Sequence, residues 1–229
     1  MTVSRAFTYI FDDRDWVNKI VVGTIFTLLT FVFTPFLIGL VGLSLLFGYQ
    51  AGIIRNIRAR AENPLPAWGD LGGMISDGIG VLLAFVVYML PNLLVSFFSF
   101  FVSGLAGDTV IVSGATSIGI ACCLFPFVLV YNLIALPMFT IAQGRHAHTR
   151  NVREFFRLAA LFDVFRTNFD AVVQWWIGTI LALVLFSFLG VIPCIGWIAG
   201  AALAVPITGA LAGMLHVAVD GEKPKKKKS

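Results

Sequence analysis

Few residues in this chain could do chemistry, and their spacing limits what it would be. Asn92 follows Pro91 and Asn132 follows Tyr131, each inside a long apolar stretch. An amide in hydrocarbon is costly unless it is hydrogen-bonded. The two must therefore bond each other, backbone freed near a proline, or a bound ligand. Structural pairing, with each other or with freed backbone, is the default reading. A bound ligand would make Asn92, Tyr131 and Asn132 a polar site in a small channel or transporter. His146 and His148 are the one close histidine pair. At the start of a helix, residues two apart do not share a face. Only Glu154 stands near as a third ligand, so no metal is expected. His216 reads as interfacial, near the end of the last apolar stretch. Cys122 and Cys123 are adjacent, where a bridge is strained, and read as small hydrophobes. Ser96, Ser99 and Ser103 share one helix side with no base in reach, so they read as packing groups. No carboxylate pair lies in an apolar stretch. The residues thus lead to an expectation of no catalytic centre, no metal and no cofactor.

The elements that must hold these residues follow from composition. Of 229 residues, 59% are hydrophobic and 12% charged, and the mean hydropathy is +0.93. A soluble domain carries about 25% charged residues. Half that charge cannot clothe a soluble surface, so lipid must be part of the solvent. A soluble enzyme, a disordered chain and a disulfide-stapled module are excluded. The net charge of +4 does not indicate nucleic acid, because the cations sit where membrane topology needs them. The acidic run Asp12-Asp13-Arg14-Asp15, with no small-residue cleavage site after it, argues against a removable signal.

Charge punctuates the chain. From Ile20 to Ile54 there is none over 35 residues, where about 20 suffice for one crossing. Thr34-Pro35 divides this run, since proline lacks the amide donor and disfavours helix before it. Helices are predicted over 17–33 and 36–54, joined as a tight hairpin. A re-entrant pair that dips in and returns would fit the same charges. Residues 61–77, with two prolines and three glycines, read as a loop with a short interfacial turn. Further spans are predicted over 78–103, 112–143, 171–189 and 196–218. The fourth is long enough to require tilt or a kink at Pro126 or Pro137. Between the fourth and fifth, Phe155, Leu158, Phe162, Phe165 and Phe169 recur at steps of three and four, with Arg153, Arg157, Asp163 and Arg166 between them. That spacing predicts an interfacial amphipathic helix over 150–169, its rings in the headgroup boundary. Residues 219–229 read as a disordered polybasic tail.

Six segments put both termini on one side, and the charges agree. Three basic residues stand at or before the first segment, three at 55–60, five at 145–166 and five in the tail, which is all 16. The opposite loops hold none. The positive-inside rule places this side in the cytoplasm. Arg153, Arg157, Arg166, Lys223, Lys225, Lys226, Lys227 and Lys228 would then contact anionic lipid. Gly48 and Gly52, Gly196 and Gly200, and Gly209 and Gly213 stand four apart in apolar helix, where small residues let backbones approach. Asp15, Asp77 and Asp170 each precede the first helix of a hairpin, which a threefold repeat or ordinary helix capping would explain.

Residues 48–79 carry a resemblance. Gly48-Tyr49, Arg55-Asn56, Leu65-Pro66, Trp68, Asp70 and Asp77-Gly78 resemble the signature of a prokaryotic membrane family, domain of unknown function 4013. Residues 10–23 are similar to that family's opening, and the resemblance extends over most of 7–218. Gly52, Gly72 and Gly73 depart from the family pattern. The resemblance implies a multi-pass membrane protein and no activity. The expected protein is an all-α, six-segment integral protein of a prokaryotic cell membrane, built as three hairpins with interfacial helices. It acts as a non-catalytic scaffold or partner-binding module, with a membrane-protein partner or a second copy as its contact. A channel or transporter is the alternative.

Overall fold

The structure is a computed structural model, and it describes residues 3–105, 110–193 and 195–220. Every described element is helical. They are α1 (Val3–Thr8), α2 (Trp16–Phe33), α3 (Gly39–Ala59), α4 (Leu71–Leu105), α5 (Val110–Thr149), α6 (Leu158–Thr167), α7 (Phe169–Val191) and α8 (Ile195–Asp220). Six of them, α2 to α5, α7 and α8, are long and apolar enough to cross a membrane. In hydrocarbon every backbone amide must be satisfied within its own segment, and a helix does this. The hydroxyls obey the same rule. Thr24, Thr27, Thr30 and Thr34 on the first span each donate to the carbonyl four residues back, at 2.7–2.8 Å.

The expected break at Pro35 is a single 3-10 turn, Thr34–Phe36. Leu37 reverses the chain in a left-handed conformation with φ 60°. Gly39 follows because a Cβ there would run into the backbone of Thr34.

The centre of the bundle is α3. Tyr49, Ala51, Ile53 and Ile54 are at most 1% exposed. Its most extensive packing is against α4 and then α8, ahead of its sequence neighbour α2. The reason is a glycine seam. A Cβ on Gly48 would strike the carbonyl of Met74, and one on Gly78 the carbonyl of Ser44. The backbones of α3 and α4 therefore touch at two points. On the other side of α3, a Cβ on Gly209 would come within 3.1 Å of Ile53, and one on Gly213 within 2.9 Å of Ile57. Gly52 abuts Pro66. The third glycine pair differs. Gly196 lies against the Leu189 carbonyl in the α7–α8 turn, and Gly200 meets nothing within 4 Å. Of this pair, Gly196 alone makes a close helix contact, where the start of α8 meets the last turn of α7.

Both ends of the 61–77 segment depart from a simple loop. Asp70 accepts the Gly73 amide at 2.9 Å, and α4 already begins at Leu71. The N-terminal end is held by a buried ion pair. Asp13, 1% exposed, accepts from Lys19 at 2.8 Å and from the Leu65 amide at 3.1 Å. Lys19 also donates to the Leu65 carbonyl at 2.8 Å. Trp68 donates to the Lys19 carbonyl at 2.8 Å and stacks on Tyr49 with ring centres 4.0 Å apart. Removing one partner of such a pair costs about 3–5 kcal/mol, because the other charge stays buried.

The 150–169 region corrects the expectation of one surface helix. His146 and His148 end α5 instead of starting a helix, and α5 runs on to Thr149. Arg150 is left-handed, with φ 53°. Asn151 then caps a 3-10 turn, Val152–Phe156, by accepting the Arg153 amide at 3.0 Å. The turn and α6 bury different faces. Phe155 and Leu161 are fully buried, whereas Leu158, Phe162 and Phe169 are exposed. Phe155 is therefore a core residue, 5.4 Å from the ring of Phe139, and not a headgroup-level ring. The tail, Lys223 to Lys228, and Asp108 lie outside the described residues.

The seam carries the first prediction. Gly48→Val or Gly78→Val should destabilise by about 1–3 kcal/mol or more, as overpacking does. Gly200→Ala should be neutral or slightly stabilising, since its site is open and alanine favours helix. Unfolding midpoints in mixed micelles would show it. Equal losses at all three positions would mean that the seam does not hold α3 against α4.

Candidate functional site

The intramembrane amides form a reciprocal pair. Asn92 donates to Asn132 Oδ1 at 3.0 Å, and Asn132 donates to Asn92 Oδ1 at 2.9 Å. The second amide also donates to the Val128 carbonyl at 2.8 Å. Tyr131 does not join the pair. Its hydroxyl donates to the Tyr88 carbonyl at 2.7 Å, one turn before Pro91, and the Tyr88 hydroxyl donates to the Phe155 carbonyl at 2.8 Å. This chain of bonds ties α4 to α5 and to the turn after it. Both Asn carbonyl oxygens already accept within the pair.

A second polar relay escaped sequence reasoning. Gln143 donates to Gln50 Oε1 at 3.0 Å, and Gln50 donates to Thr208 at 2.8 Å. It joins α5, α3 and α8. Each Gln lies near the basic end of a span, Gln50 five residues before Arg55 and Gln143 two before Arg145. That position was the available signal, but nothing in the spacing named the partner.

The basic end is laced by two carboxylates. Asp77 on α4 pairs with Arg55 on α3 at 2.7 Å and with Arg150 at 3.1 Å. Asp220 at the end of α8 accepts from two nitrogens of Arg145 on α5, each at 3.2 Å. His146 Nε2 lies 3.2 Å from the Asp77 carbonyl. His148 stacks on His216, with centres 5.0 Å apart. Arg58 has only donors, so its 2.9 Å contact makes His216 Nε2 the acceptor. The other ring nitrogen, His216 Nδ1, faces Asp220 at 3.4 Å. Both histidines of the H-x-H pair are thus used in helix contacts, on different faces. Among the described residues no three His, Cys, Asp or Glu gather as a metal site. Cys122 and Cys123 are free and exposed.

The expected lipid-contact arginines divide. Arg157 pairs with Glu154 at 3.2 Å. Arg153 and Arg166 are exposed and have no carboxylate partner among the described residues.

Beside this rim, a cleft of about 970 Å³ lies between α1, the end of α3, the α6–α7 junction and the end of α8. Tyr9 and Gln174 stand in its wall. The Tyr9 hydroxyl and Gln174 Oε1 are buried without a hydrogen-bond partner. Each such orphan costs about 1–3 kcal/mol. Burial raises the Tyr9 phenol well above its ordinary pKa, and Tyr49 and Asp13 nearby add to the effect. It is therefore a neutral hydroxyl that can donate. No spacing in the sequence pointed to this cleft, since its walls come from both ends of the chain.

The amide pair carries the second prediction. Asn92→Leu and Asn132→Leu should each destabilise by about 1 kcal/mol, in the range of hydrogen bonds within membrane proteins. The double variant should lose less than the sum, with a coupling of about 0.5–1 kcal/mol. Additive losses would show that each amide works with something else.

No curated protein and no solved structure matches the chain. A family model does, described as a protein of unknown function (DUF4013), over residues 28–198. The match includes the 48–79 stretch that resembled this family, and it begins later and ends earlier than the 7–218 expected. It covers the amide pair, the glycine seam and one Arg–Asp clasp, Arg55–Asp77–Arg150. With three quarters of its length matched, this multi-pass membrane protein, with six apolar helices long enough to span, belongs to the DUF4013 family.

Proposed function

We propose that the protein is a non-catalytic module of a prokaryotic cell membrane, arranged as three hairpins with both termini in the cytoplasm. It presents a basic face to anionic lipid and to a membrane-protein partner or a second copy. The observation that carries this reading is the sorting of polar groups. Inside the spans, Asn92 and Asn132 are occupied with each other, and Gln50, Gln143 and Thr208 form their own relay. At the basic end, Arg5, Arg14, Arg60, Arg153 and Arg166 are exposed and lack carboxylate partners among the described residues. Free charge is kept where lipid phosphates lie, and intramembrane polarity goes into holding helices together. In the sequence, Lys223 and Lys225 to Lys228 follow directly on the basic end of α8. Each lysine near an anionic surface contributes about 1 kcal/mol, screened within a Debye length of about 8–10 Å.

Two measurements test it. A C-terminal green fluorescent protein fusion should be bright, and a phosphatase fusion at the same site inactive; the reverse pattern would overturn the orientation. In reconstituted full-length protein, spin-labelled phosphatidylglycerol should be enriched at the protein surface over phosphatidylcholine, and the enrichment should fall as salt rises. Changing Arg153, Arg166 and the five tail lysines to Gln should remove it. Equal association of both lipids with the unaltered protein would contradict the basic-face reading.

A further inference from the structure

We propose that the outer part of the α4–α5 hairpin is a two-helix arm, hinged at Pro91 and Pro126, whose bend follows the thickness of the bilayer. Burial stops at one level on both helices. Among the described residues, none of α4 beyond Tyr88 is buried, and none of α5 before Ala135. Past that level each helix keeps one half-buried stripe, Val95, Ser99 and Val102 on α4 and Leu124, Val128 and Tyr131 on α5. Steps of three and four place each stripe on one face. That is the mark of a single neighbour, the other helix of the pair. Around the stripes, Phe97, Phe100 and Phe127 are 69%, 81% and 74% exposed. A Cβ on Gly104 or Gly119 would meet nothing within 4 Å, the opposite of the seam.

The hinge lies at the same level. Pro91 stands inside α4 and Pro126 inside α5. Proline has no N–H, so the Val87 and Cys122 carbonyls lose their helix bonds, and each ring presses on the carbonyl it has freed. Among the described residues no side chain donates to either carbonyl. Pro137, deeper in α5, is different. The Leu133 carbonyl that it frees accepts from Trp176 Nε1 of α7 at 3.3 Å, so that site is braced from outside. Sharp helix kinks occur mostly at proline. Pro91 adjoins Asn92, and Pro126 lies six residues before Asn132, about 9 Å of helix. The reciprocal amide pair, at 2.9 and 3.0 Å, ties the two helices together there. The arm therefore turns as one body.

The bilayer supplies the reason to bend. Residues 78–105 and 110–144 hold no charge over 28 and 35 residues. At 1.5 Å per residue these stretches are about 42 and about 52 Å long, and hydrocarbon is about 30 Å thick. A tilt of about 40°, at the top of the usual range, still leaves about 40 Å of α5 to cover. A bend at the hinge lays the surplus into hydrocarbon, more in a thin bilayer and less in a thick one. This device stands apart from the basic-face reading, whose two tests do not touch the arm.

Double electron–electron resonance on the full chain, in a background without native cysteines, tests it. One spin-label pair, Phe100→Cys with Leu158→Cys, reads the arm against α6. A second, Phe100→Cys with Ile118→Cys, reads within the arm. The bilayers are phosphatidylcholines with fourteen-carbon and with twenty-two-carbon chains. The first distance should be longer in the thicker bilayer by about 5 Å or more, and the second should stay fixed. Pro91→Ala with Pro126→Ala should narrow the first distribution and remove at least half of its response, since alanine restores both helix bonds. Pro137→Ala should leave the response intact. The proposal is overturned if the first distance is the same in both bilayers, or if the second moves as much as the first. It is equally overturned if the double alanine variant responds as the unaltered chain does, or if Pro137→Ala loses as much as that variant.

Discussion

The backbone contact between α3 and α4 sets the geometry of everything else. At Gly48 and Gly78 no side chain separates the two helices. In lipid there is little hydrophobic gain from bringing two apolar helices together, so close van der Waals contact has to supply the attraction. The seam fixes α3 as the central rod. Once α3 is placed, Gly209 and Gly213 seat α8 on Ile53 and Ile57, and Gln50 meets Gln143 and Thr208. The same placement sets Arg55 beside Asp77. The outer helix α2 depends least on it: 11% of its apolar window is buried, against 44% for α3 and for α8.

Polar groups follow a single logic along the axis of the bundle. Within the spans the Asn92–Asn132 pair and the Gln50–Gln143–Thr208 relay are neutral, and the members of each are bonded to one another. At the basic end polar groups are charged, and the carboxylates of Asp77 and Asp220 join helices distant in sequence. Asp77 links α3 with the turn after α5, and Asp220 links α5 with α8. Exposed ion pairs contribute little, but these carboxylates are only 10% and 18% exposed, so they act as latches on helix ends. The cleft interrupts this pattern, since Arg5, Arg60, Asp12 and Asp170 in its lining are not paired with each other and two neutral groups beside them lack partners.

Much of this was legible in the chain. Hydropathy and the placement of Lys and Arg gave six apolar helices, and Thr34-Pro35 gave the first turn almost to the residue. The cost of burying amides gave structural pairing of Asn92 and Asn132, with each other or with backbone, as the default, and the structure bonds them to each other and Asn132 also to the Val128 carbonyl. What was not legible depends on which faces meet. Gly196 and Gly200 have the same spacing as Gly209 and Gly213, yet only the latter lie against α3, because spacing does not say where the partner helix is. The Phe155–Phe169 periodicity read as one helix, but a left-handed Arg150 and a capped 3-10 turn split the region and bury Phe155. The Asp–Arg latches join residues 22 to 75 positions apart and the cleft draws on both ends of the chain, and a local pattern cannot anticipate either.

The central claim is that the interior of the spans is closed to water and that charge and solvent meet only at the ends. A cysteine scan along α4 and α5, from 85 to 99 and from 125 to 139, read with a membrane-impermeant thiol reagent in a background without native cysteines, tests it directly. Positions around Asn92 and Asn132 should be unreactive from both sides, while positions 60 and 153 at the basic end react at rates near those of free thiols. A continuous reactive stripe that passes through 92 and 132 would show a water-filled path and contradict a closed interior.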